Sequence, residues 1–301
     1  MNNASTPPVR RAAKAAQRTV PVPLPAGATD CHVHVFDPDR FPFAGDAAYR
    51  PIAAECGTAA DLAATLDAAG IKRVVLVNPT SGYGYDNRCM LDAIETLGDR
   101  ARGIARVALS ITADEIDALV HRGVVGVRID FVAAGLTPLA DPAFATLLAH
   151  LAERDLIVDV QAEADQWVAI APALYRVPVR TIIDHLGRPR PEEGVNAPGF
   201  MAVIRLAETG RVAVKLSGPM RSSRADAPFA DLDPFVHQLL HAFTPRHLMW
   251  GTDWPFLRSE RRIDYGPQLA YLARLVSDPE DRRTILCDTP ARWFGFNQQR
   301  P

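Results

Sequence analysis

From Ala28 onward, short β-branched or apolar segments alternate with alanine- and leucine-rich segments of helical period. This alternation is typical of βαβ units, in which helices join parallel strands. Eight segments read as strands: Ala28–Phe36, Arg73–Asn78, Gly103–Leu109, Val124–Phe131, Leu156–Gln161, Val179–Asp184, Val212–Ser217 and His247–Gly251. Because a helical segment follows each strand, the sequence predicts an α/β fold, a single (β/α)8 TIM barrel over residues 28–301, without a second domain.

The first 27 residues do not share this pattern. Arg10–Arg18 is basic and rich in alanine, and prolines follow it at positions 21, 23 and 25. A secretory signal needs an apolar core of about 7–15 residues, and charged side chains interrupt the alanines here. We therefore expect residues 1–27 to form a mobile N-terminal arm that ends by packing across the barrel bottom or a neighbouring subunit. A homo-oligomer is left open.

Composition excludes several partners and compartments. The formal net charge of −2 argues against nucleic acid or an anionic membrane as a partner. No apolar run approaches the roughly 20 residues of a membrane span. Four cysteines without a C-x-x-C spacing indicate reduced thiols rather than disulfides or a zinc site. We expect a cytoplasmic protein.

Ionisable residues fall at the ends of the predicted strands. His32 and His34 lie two apart on strand one, so their side chains share a face. His185 follows strand six and Asp253 follows strand eight. Active sites of such barrels lie at the carboxyl ends of the strands, so we predict that these four residues meet. Alone, the histidine pair fits two packed core histidines equally well.

Three segments together resemble a known family. They are His-x-His on strand one, Asp-His-Leu-Gly-Arg-Pro after strand six and Gly-Thr-Asp-Trp-Pro after strand eight. The chain resembles the amidohydrolase superfamily (amidohydrolase-related family 2) over about Ala28 to Phe296, and within it the 2-pyrone-4,6-dicarboxylate and sugar-acid lactonases. The resemblance implies a hydrolase that opens a carboxylated lactone, in the catabolism of aromatic compounds.

The resemblance leaves the cofactor undecided. Members that hold one zinc use the strand-one histidines, a histidine after strand five and the strand-eight aspartate. Here strand five ends at Gln161 with no histidine, and strand four ends without a lysine that could be carboxylated. His32, His34 and Asp253 could still supply three ligands to a single divalent metal such as zinc. The pyrone dicarboxylate lactonases work without metal, and we favour no cofactor.

The resemblance also implies roles for the four residues. Without metal, Asp253 is the general base that takes a proton from water, and we expect limited solvation beside Trp254 to raise its pKa. His32, His34 and His185 then donate hydrogen bonds to the developing oxyanion. With metal, His32, His34 and Asp253 bind the ion, and His185 orients the leaving group.

Arginines indicate a small carboxylated substrate, because a guanidinium group binds a carboxylate through two hydrogen bonds. The candidate substrate-binding residues, including neutral donors in the loops, are Arg128, Arg188, Arg221, Tyr49, Asn78 and Ser81. The loop at positions 132–136 is apolar, where a pyrone dicarboxylate enzyme is expected to carry a second arginine. A monocarboxylate lactone or another acidic ring is therefore left open.

Two other functions share these features. A zinc-dependent decarboxylase of the same superfamily, acting on an aromatic or unsaturated acid, would also need His-x-His and the late aspartate. A binding protein without catalysis could use the same scaffold. The joint presence of His32, His34, His185 and Asp253 argues against that last function, since binding alone needs no base.

Overall fold

Eight parallel strands pair in chain order and form a nearly closed barrel in a computed structural model, which describes residues 23–259 and 264–296. Seven parallel pairings join consecutive strands. The predicted (β/α)8 barrel is confirmed. Its strands are β1 Thr29–Val33, β2 Arg73–Val77, β3 Ala101–Arg106, β4 Val124–Asp130, β5 Ile157–Gln161, β6 Arg180–Ile183, β7 Val212–Ser217 and β8 Leu248–Gly251.

Helices surround the strands on the outside. Thr58 and Thr112 begin two of them, each accepting a hydrogen bond from the backbone three residues on, as capping boxes do. The main helices are α1 Ala59–Ala69, α2 Arg88–Leu97, α3 Ala113–His121, α4 Pro142–Glu153, α5 Gln166–Arg176, α6 Pro198–Arg205, α7 Asp233–Phe243 and α8 Tyr265–Leu275. The shorter segments Phe131–Ala134 and Thr137–Ala140 follow β4, and Pro279–Arg283, Thr284–Asp288 and Thr289–Phe294 end the described chain.

The first and last strands meet through a short seam. The backbone N–H of Asp253 donates to the carbonyl oxygen of His32, and that of His34 donates to Trp254, both at 2.8 Å. Behind the seam, the buried carboxylate of Asp30 accepts hydrogen bonds from Thr252 and from the hydroxyl group of Tyr265. Asp253 and the histidines are therefore brought together by barrel closure itself.

Apolar side chains fill the lower barrel and leave its upper end for polar groups. Trp293 and Phe294 of the last helical segment close the bottom. The interior layer above them consists of Cys31, Val75, Val77, Ile104, Ile157, Ile182, Ala213 and Met249. Ionisable residues begin directly above this layer, at the carboxyl ends of the strands.

The end of the predicted N-terminal arm packs near the closing helices. Cys287 Sγ lies 3.6 Å from the carbonyl oxygen of Ala26, and Ala28 donates its N–H to Pro25. Residues 1–22 of that arm lie outside the described part of the chain. The four cysteines are buried thiols. Within the described residues, no helix has the length and apolar character needed to cross a bilayer.

Candidate active site

A cavity of about 640 Å³ opens at the carboxyl ends of the strands. Most of the residues predicted for the site line it: His34, Tyr49, Ser81, Arg128, His185, Arg188, Arg221 and Asp253. His32 lies just below, fully buried. Several further lining residues had no role predicted from the sequence: Thr80, Asp130, Gln161, Met220, Leu257 and Arg258.

The predicted convergence of three histidines and one acid is present in the structure. Oδ1 of Asp253 lies 3.3 Å from Nε2 of His34 and 3.8 Å from Nε2 of His32. The ring of His185 lies 4.6 Å from that of His32, centroid to centroid. Direct contact or one bridging water therefore links the acid to the imidazoles.

Both ring nitrogens of His34 face oxygen atoms. Nδ1 lies 2.7 Å from the carbonyl oxygen of Val77, which can only accept, so Nδ1 carries a hydrogen. Nε2 lies 3.3 Å from Oδ1 of Asp253 and faces the cavity with it.

His185 is held by an unusual backbone. Residues 185–188 all have positive φ, including the non-glycine residues His185, Leu186 and Arg188. Left-handed residues of this kind carry strain of order 1–3 kcal/mol each and cluster at functional sites. The turn directs both His185 and Arg188 to the cavity. Nδ1 of His185 lies 3.0 Å from the hydroxyl oxygen of Ser217, and burial lowers the pKa of His185 to about 4.

The expected rise in the pKa of Asp253 is wrong. Burial does favour the neutral acid, but the guanidinium group of Arg221 and the neighbouring imidazoles hold the pKa of Asp253 well below its usual range. Arg221 donates to Oδ2 from Nε at 2.6 Å, and its Nη2 lies 2.5 Å from the same oxygen. Asp253 is therefore ionised at neutral pH, with Oδ1 directed to the histidines.

A buried ionic cluster lies directly beneath the histidines. Lys215 of β7 bonds to Asp159 of β5 and lies 2.9 Å from Asp184, which follows β6. Asp184 also accepts from Arg128 at 2.9 Å and lies 3.1 Å from Nδ1 of His32. No role was predicted from the sequence for Lys215, Asp159 or Asp184. Their only sequence signal is an ionisable residue inside an otherwise apolar strand.

The candidate substrate-binding residues have different environments. Arg188 lies 3.1 Å from Glu163, Arg221 also donates to the carbonyl oxygen of Leu257, and Tyr49 bonds to Glu55. Asn78 does not line the cavity, contrary to its predicted role. It is fully buried and donates to the carbonyl oxygen of Gly84, which supports the loop that follows β2.

One group among the described residues could hold a metal ion. Ligand atoms of His32, His185 and Asp253 lie within 4.8 Å of one another, whereas the sequence predicted His34 in place of His185. One contact does not fit a resident ion, because Arg221 already holds Asp253. The surroundings of His32 do fit one, because Nδ1 of His32 lies 3.1 Å from the carboxylate of Asp184, the kind of acceptor to which a metal-bound histidine normally donates. We derive no catalytic step through a metal.

The fold and the site define a class: a TIM-barrel enzyme with a histidine pair on β1, a histidine after β6 and an aspartate after β8. The amidohydrolase family model matches residues 29–296, and the chain belongs to this family.

Several relatives are known. A 4-sulfomuconolactone hydrolase of Rhizobium radiobacter is 34% identical over 90% of this chain and 91% of its own length. A 2-pyrone-4,6-dicarboxylate hydrolase of Comamonas testosteroni is 31% identical over 90% and 91%. The crystal structure of a probable 2-pyrone-4,6-dicarboxylic acid hydrolase of Acinetobacter baumannii, with citric acid bound, has a TM-score of 0.82 at 28% identity and covers 89% of this chain and 99% of that one.

A more distant amidohydrolase of Burkholderia multivorans was solved with bound zinc. It has a TM-score of 0.73 at 19% identity, covering 90% of this chain and 99% of that one. This similarity establishes a shared fold only.

Proposed function

We propose that this enzyme is a lactonase that opens a carboxylated lactone by adding water to the ring carbonyl. One observation carries the proposal: an ionised carboxylate, Asp253, contacts imidazoles in a cavity lined by arginines. The relatives named above, which hydrolyse a sulfonated or a dicarboxylated lactone, support this substrate class. Their substrates also support a place in the catabolism of aromatic compounds.

Asp253 is the general base in this mechanism. A water that bonds to Oδ1 loses a proton to the carboxylate as its oxygen attacks the carbonyl carbon of the lactone. The electron pair of the carbonyl moves to oxygen and forms an oxyanion. When the tetrahedral intermediate collapses, the bond to the ring oxygen breaks, and that oxygen takes up the proton.

A carboxylate with a low pKa is a weak base, so most of the rate enhancement must come from groups that stabilise the transition state. Hydrogen-bond donors aimed at a developing oxyanion commonly contribute about 10²–10³-fold each. The rings of His185 and His34 line the cavity beside Asp253, with His32 beneath them. We assign these three rings to oxyanion stabilisation.

The arginines bind the acidic substituent of the substrate. Arg128, Arg188, Arg221 and Arg258 line the cavity, against two carboxylates, Asp130 and Asp253. Carboxylates already pair with Arg128, Arg188 and Arg221, and guanidinium groups can still donate further hydrogen bonds to an anionic ligand in the cavity. The apolar residues Val132 and Ala133 line the wall after β4, and they suit the uncharged part of the ring.

The alternative function is a zinc-dependent decarboxylase of the same superfamily. The trio of His32, His185 and Asp253 is the observation that favours it. It requires about one tightly held ion per chain, and the contact of Arg221 with Asp253 counts against this.

A lactone panel tests both functions. Purified protein is dialysed against a chelator, its metal content is measured, and ring opening is followed by proton release for carboxylated lactones and their methyl esters. We expect hydrolysis of a carboxylated lactone at less than about 0.1 metal per chain, with the esters poor substrates. Activity that disappears with the metal and returns with zinc, accompanied by release of carbon dioxide, would establish the decarboxylase instead.

A further inference from the structure

A second cavity lies over the carboxyl end of β3, between α2 and α3. Its volume of about 520 Å³ is within the range that is usual for small-molecule sites. Among the described residues, none lines both this cavity and the active-site cavity. We call it the β3 groove, and its walls include Tyr85, Leu91, Arg106, Val107, Ile111 and Leu119.

Arg106, the last residue of β3, is a buried cation without an acidic partner. It is 9% exposed, and its Nε atom is buried without a hydrogen-bond partner. Within residues 23–259 and 264–296, no carboxylate lies within 4.0 Å of its guanidinium nitrogens. Two other buried arginines differ, since Arg102 donates to the carbonyl oxygen of Gly295 and Arg128 donates to Asp184.

The surroundings of Arg106 do not neutralise its charge. The ring of Tyr85 lies against it, with 4.9 Å between the ring centroid and Cζ of the guanidinium group. Asp130 attracts it through space, but the oxygens of Asp130 already accept from Thr80 and from the backbone of Ala133. Burial lowers the pKa of Arg106 despite Asp130, although an arginine stays protonated at neutral pH. A buried charge that lacks its partner is unfavourable, and an anion in the groove would supply one.

The other polar groups of the groove also suit an anion. Glu115 lines it, but that carboxylate accepts from both the backbone N–H and the hydroxyl group of Thr112 at the start of α3. Arg122, at the end of α3, adds a second cation. Asn87 fixes the backbone beneath, because its side chain bonds to both the N–H and the carbonyl oxygen of Arg106.

The apolar part of the groove indicates what carries the anionic group. Tyr85 is 61% exposed, and its ring can stack against an aromatic ligand. The guanidinium group of Arg106 can hold a carboxylate through two parallel hydrogen bonds. Four aliphatic side chains line the same groove: Leu91, Val107, Ile111 and Leu119. An aromatic carboxylate fits these walls better than an inorganic anion does.

We propose that the β3 groove binds a small aromatic carboxylate, with the carboxylate held by Arg106 and the ring packed between Tyr85 and the aliphatic wall. The loop of residues 79–87 borders both cavities, since it supplies Tyr85 to the groove and Thr80 and Ser81 to the active site. A ligand in the groove therefore contacts an element that shapes the active site. Binding in the groove does not depend on the proposed lactone hydrolysis.

A titration with 2-naphthoate tests this proposal in the wild-type protein. Methyl NMR of the full chain, labelled at leucine, valine and methionine, reports on both cavities at once. Leu91, Val107 and Leu119 report on the groove, whereas Met220 and Leu257 line the active-site cavity. We expect 2-naphthoate to shift the groove signals with a Kd below about 1 mM. The neutral 2-naphthamide and the small anion acetate should shift them only weakly at the same concentration.

Arg106→Met keeps a long side chain at this position and removes the cation. We expect the Kd of 2-naphthoate, measured from the groove signals, to rise at least about tenfold, because charge-assisted hydrogen bonds to the carboxylate are lost. Arg176→Met, at an exposed arginine of α5, is the matched control and should leave this Kd unchanged.

Three results would overturn the proposal: shifts confined to Met220 and Leu257, equal shifts with 2-naphthamide, or an unchanged Kd in Arg106→Met. A second copy of the chain that covers the groove would appear as a dimer in sedimentation and would leave the groove signals unmoved by 2-naphthoate, which also contradicts the proposal. If Arg106→Met does not fold, the wild-type titration and its two control ligands decide the question by themselves.

Discussion

At the scale of single residues, the site depends on Asp253 being ionised and directed at the histidines. The contact with Arg221 holds one carboxylate oxygen and leaves the other facing His34. Replacing Asp253 with asparagine keeps the shape and removes the base. We expect Asp253→Asn to lower kcat by about 10²–10⁴-fold with substrate affinity, measured by calorimetry, within a few-fold. Equal loss of affinity and kcat would indicate a binding role instead.

Burial of His185 makes stability depend on pH. Because its pKa falls from 6.5 to about 4 on folding, the unfolded chain binds a proton between these pH values that the folded chain does not. Its contribution to the free energy of unfolding is present above pH 6.5 and is lost as pH falls toward 4, by about 2 kcal/mol between pH 7 and 5.

Urea unfolding of wild type and His185→Gln at several pH values checks this expectation. The difference between the two proteins isolates His185 from other titrating groups, and it should shrink toward acid pH. A difference that is constant with pH would contradict the assignment.

The sequence predicted which residues meet but not the contacts that set their chemistry. The barrel rule alone brings His32, His34, His185 and Asp253 to one end of the strands. The pKa of Asp253 was mispredicted because its partner Arg221 reaches it across 32 residues of chain from the loop after β7. The separation of two residues along the chain does not show how close their side chains lie in the folded protein.

At the scale of elements, the turn after β6 and the loop after β7 fit together through one glycine. A Cβ atom at Gly218 would lie 2.5 Å from Nδ1 of His185, and the residue has φ of +53°. The left-handed backbone and the close approach both require glycine here.

Gly218→Ala should therefore displace His185. We expect a loss of kcat of at least about tenfold, together with about 1 kcal/mol of stability. Gly210→Ala is the matched control, because Gly210 also has positive φ, at +65°, but nothing lies within 4 Å of its added Cβ. It should lose similar stability in thermal unfolding and keep its activity. Equal loss of kcat in both variants would show that strain, not contact with His185, is responsible.

Asn78 shows what the predicted pattern of strands and helices cannot determine. The sequence correctly predicts that a strand ends near this residue, and the carboxyl ends of the strands face the site. The loop of residues 79–87 folds back so that the amide of Asn78 bonds to Gly84, and this is a tertiary contact that the strand pattern does not encode.

At the scale of the whole molecule, the arginine-lined cavity belongs to a chain with a net charge of −2. Charges that line a cavity attract substrate over about 10 Å at 0.1 M ionic strength and further at lower salt. We expect kcat/KM for a carboxylated lactone to fall several-fold as ionic strength rises from about 0.01 to about 0.3 M. The methyl ester of the same lactone, assayed in parallel, should show little change; an equal salt effect on both would argue against attraction by the arginines.

The seam between the first and last strands has a consequence for biosynthesis. His32 leaves the ribosome before the other seven strands, whereas Asp253 and the segment from Leu248 to Gly251, which pairs with β7 and meets β1, leave it only after those strands. A nascent chain can pack its early βα units together, but its active site lacks the carboxylate of Asp253 until β8 and the residues after it have been synthesised. Termination of translation anywhere before Asp253 should yield an inactive product, and activity in the cell should report synthesis through β8.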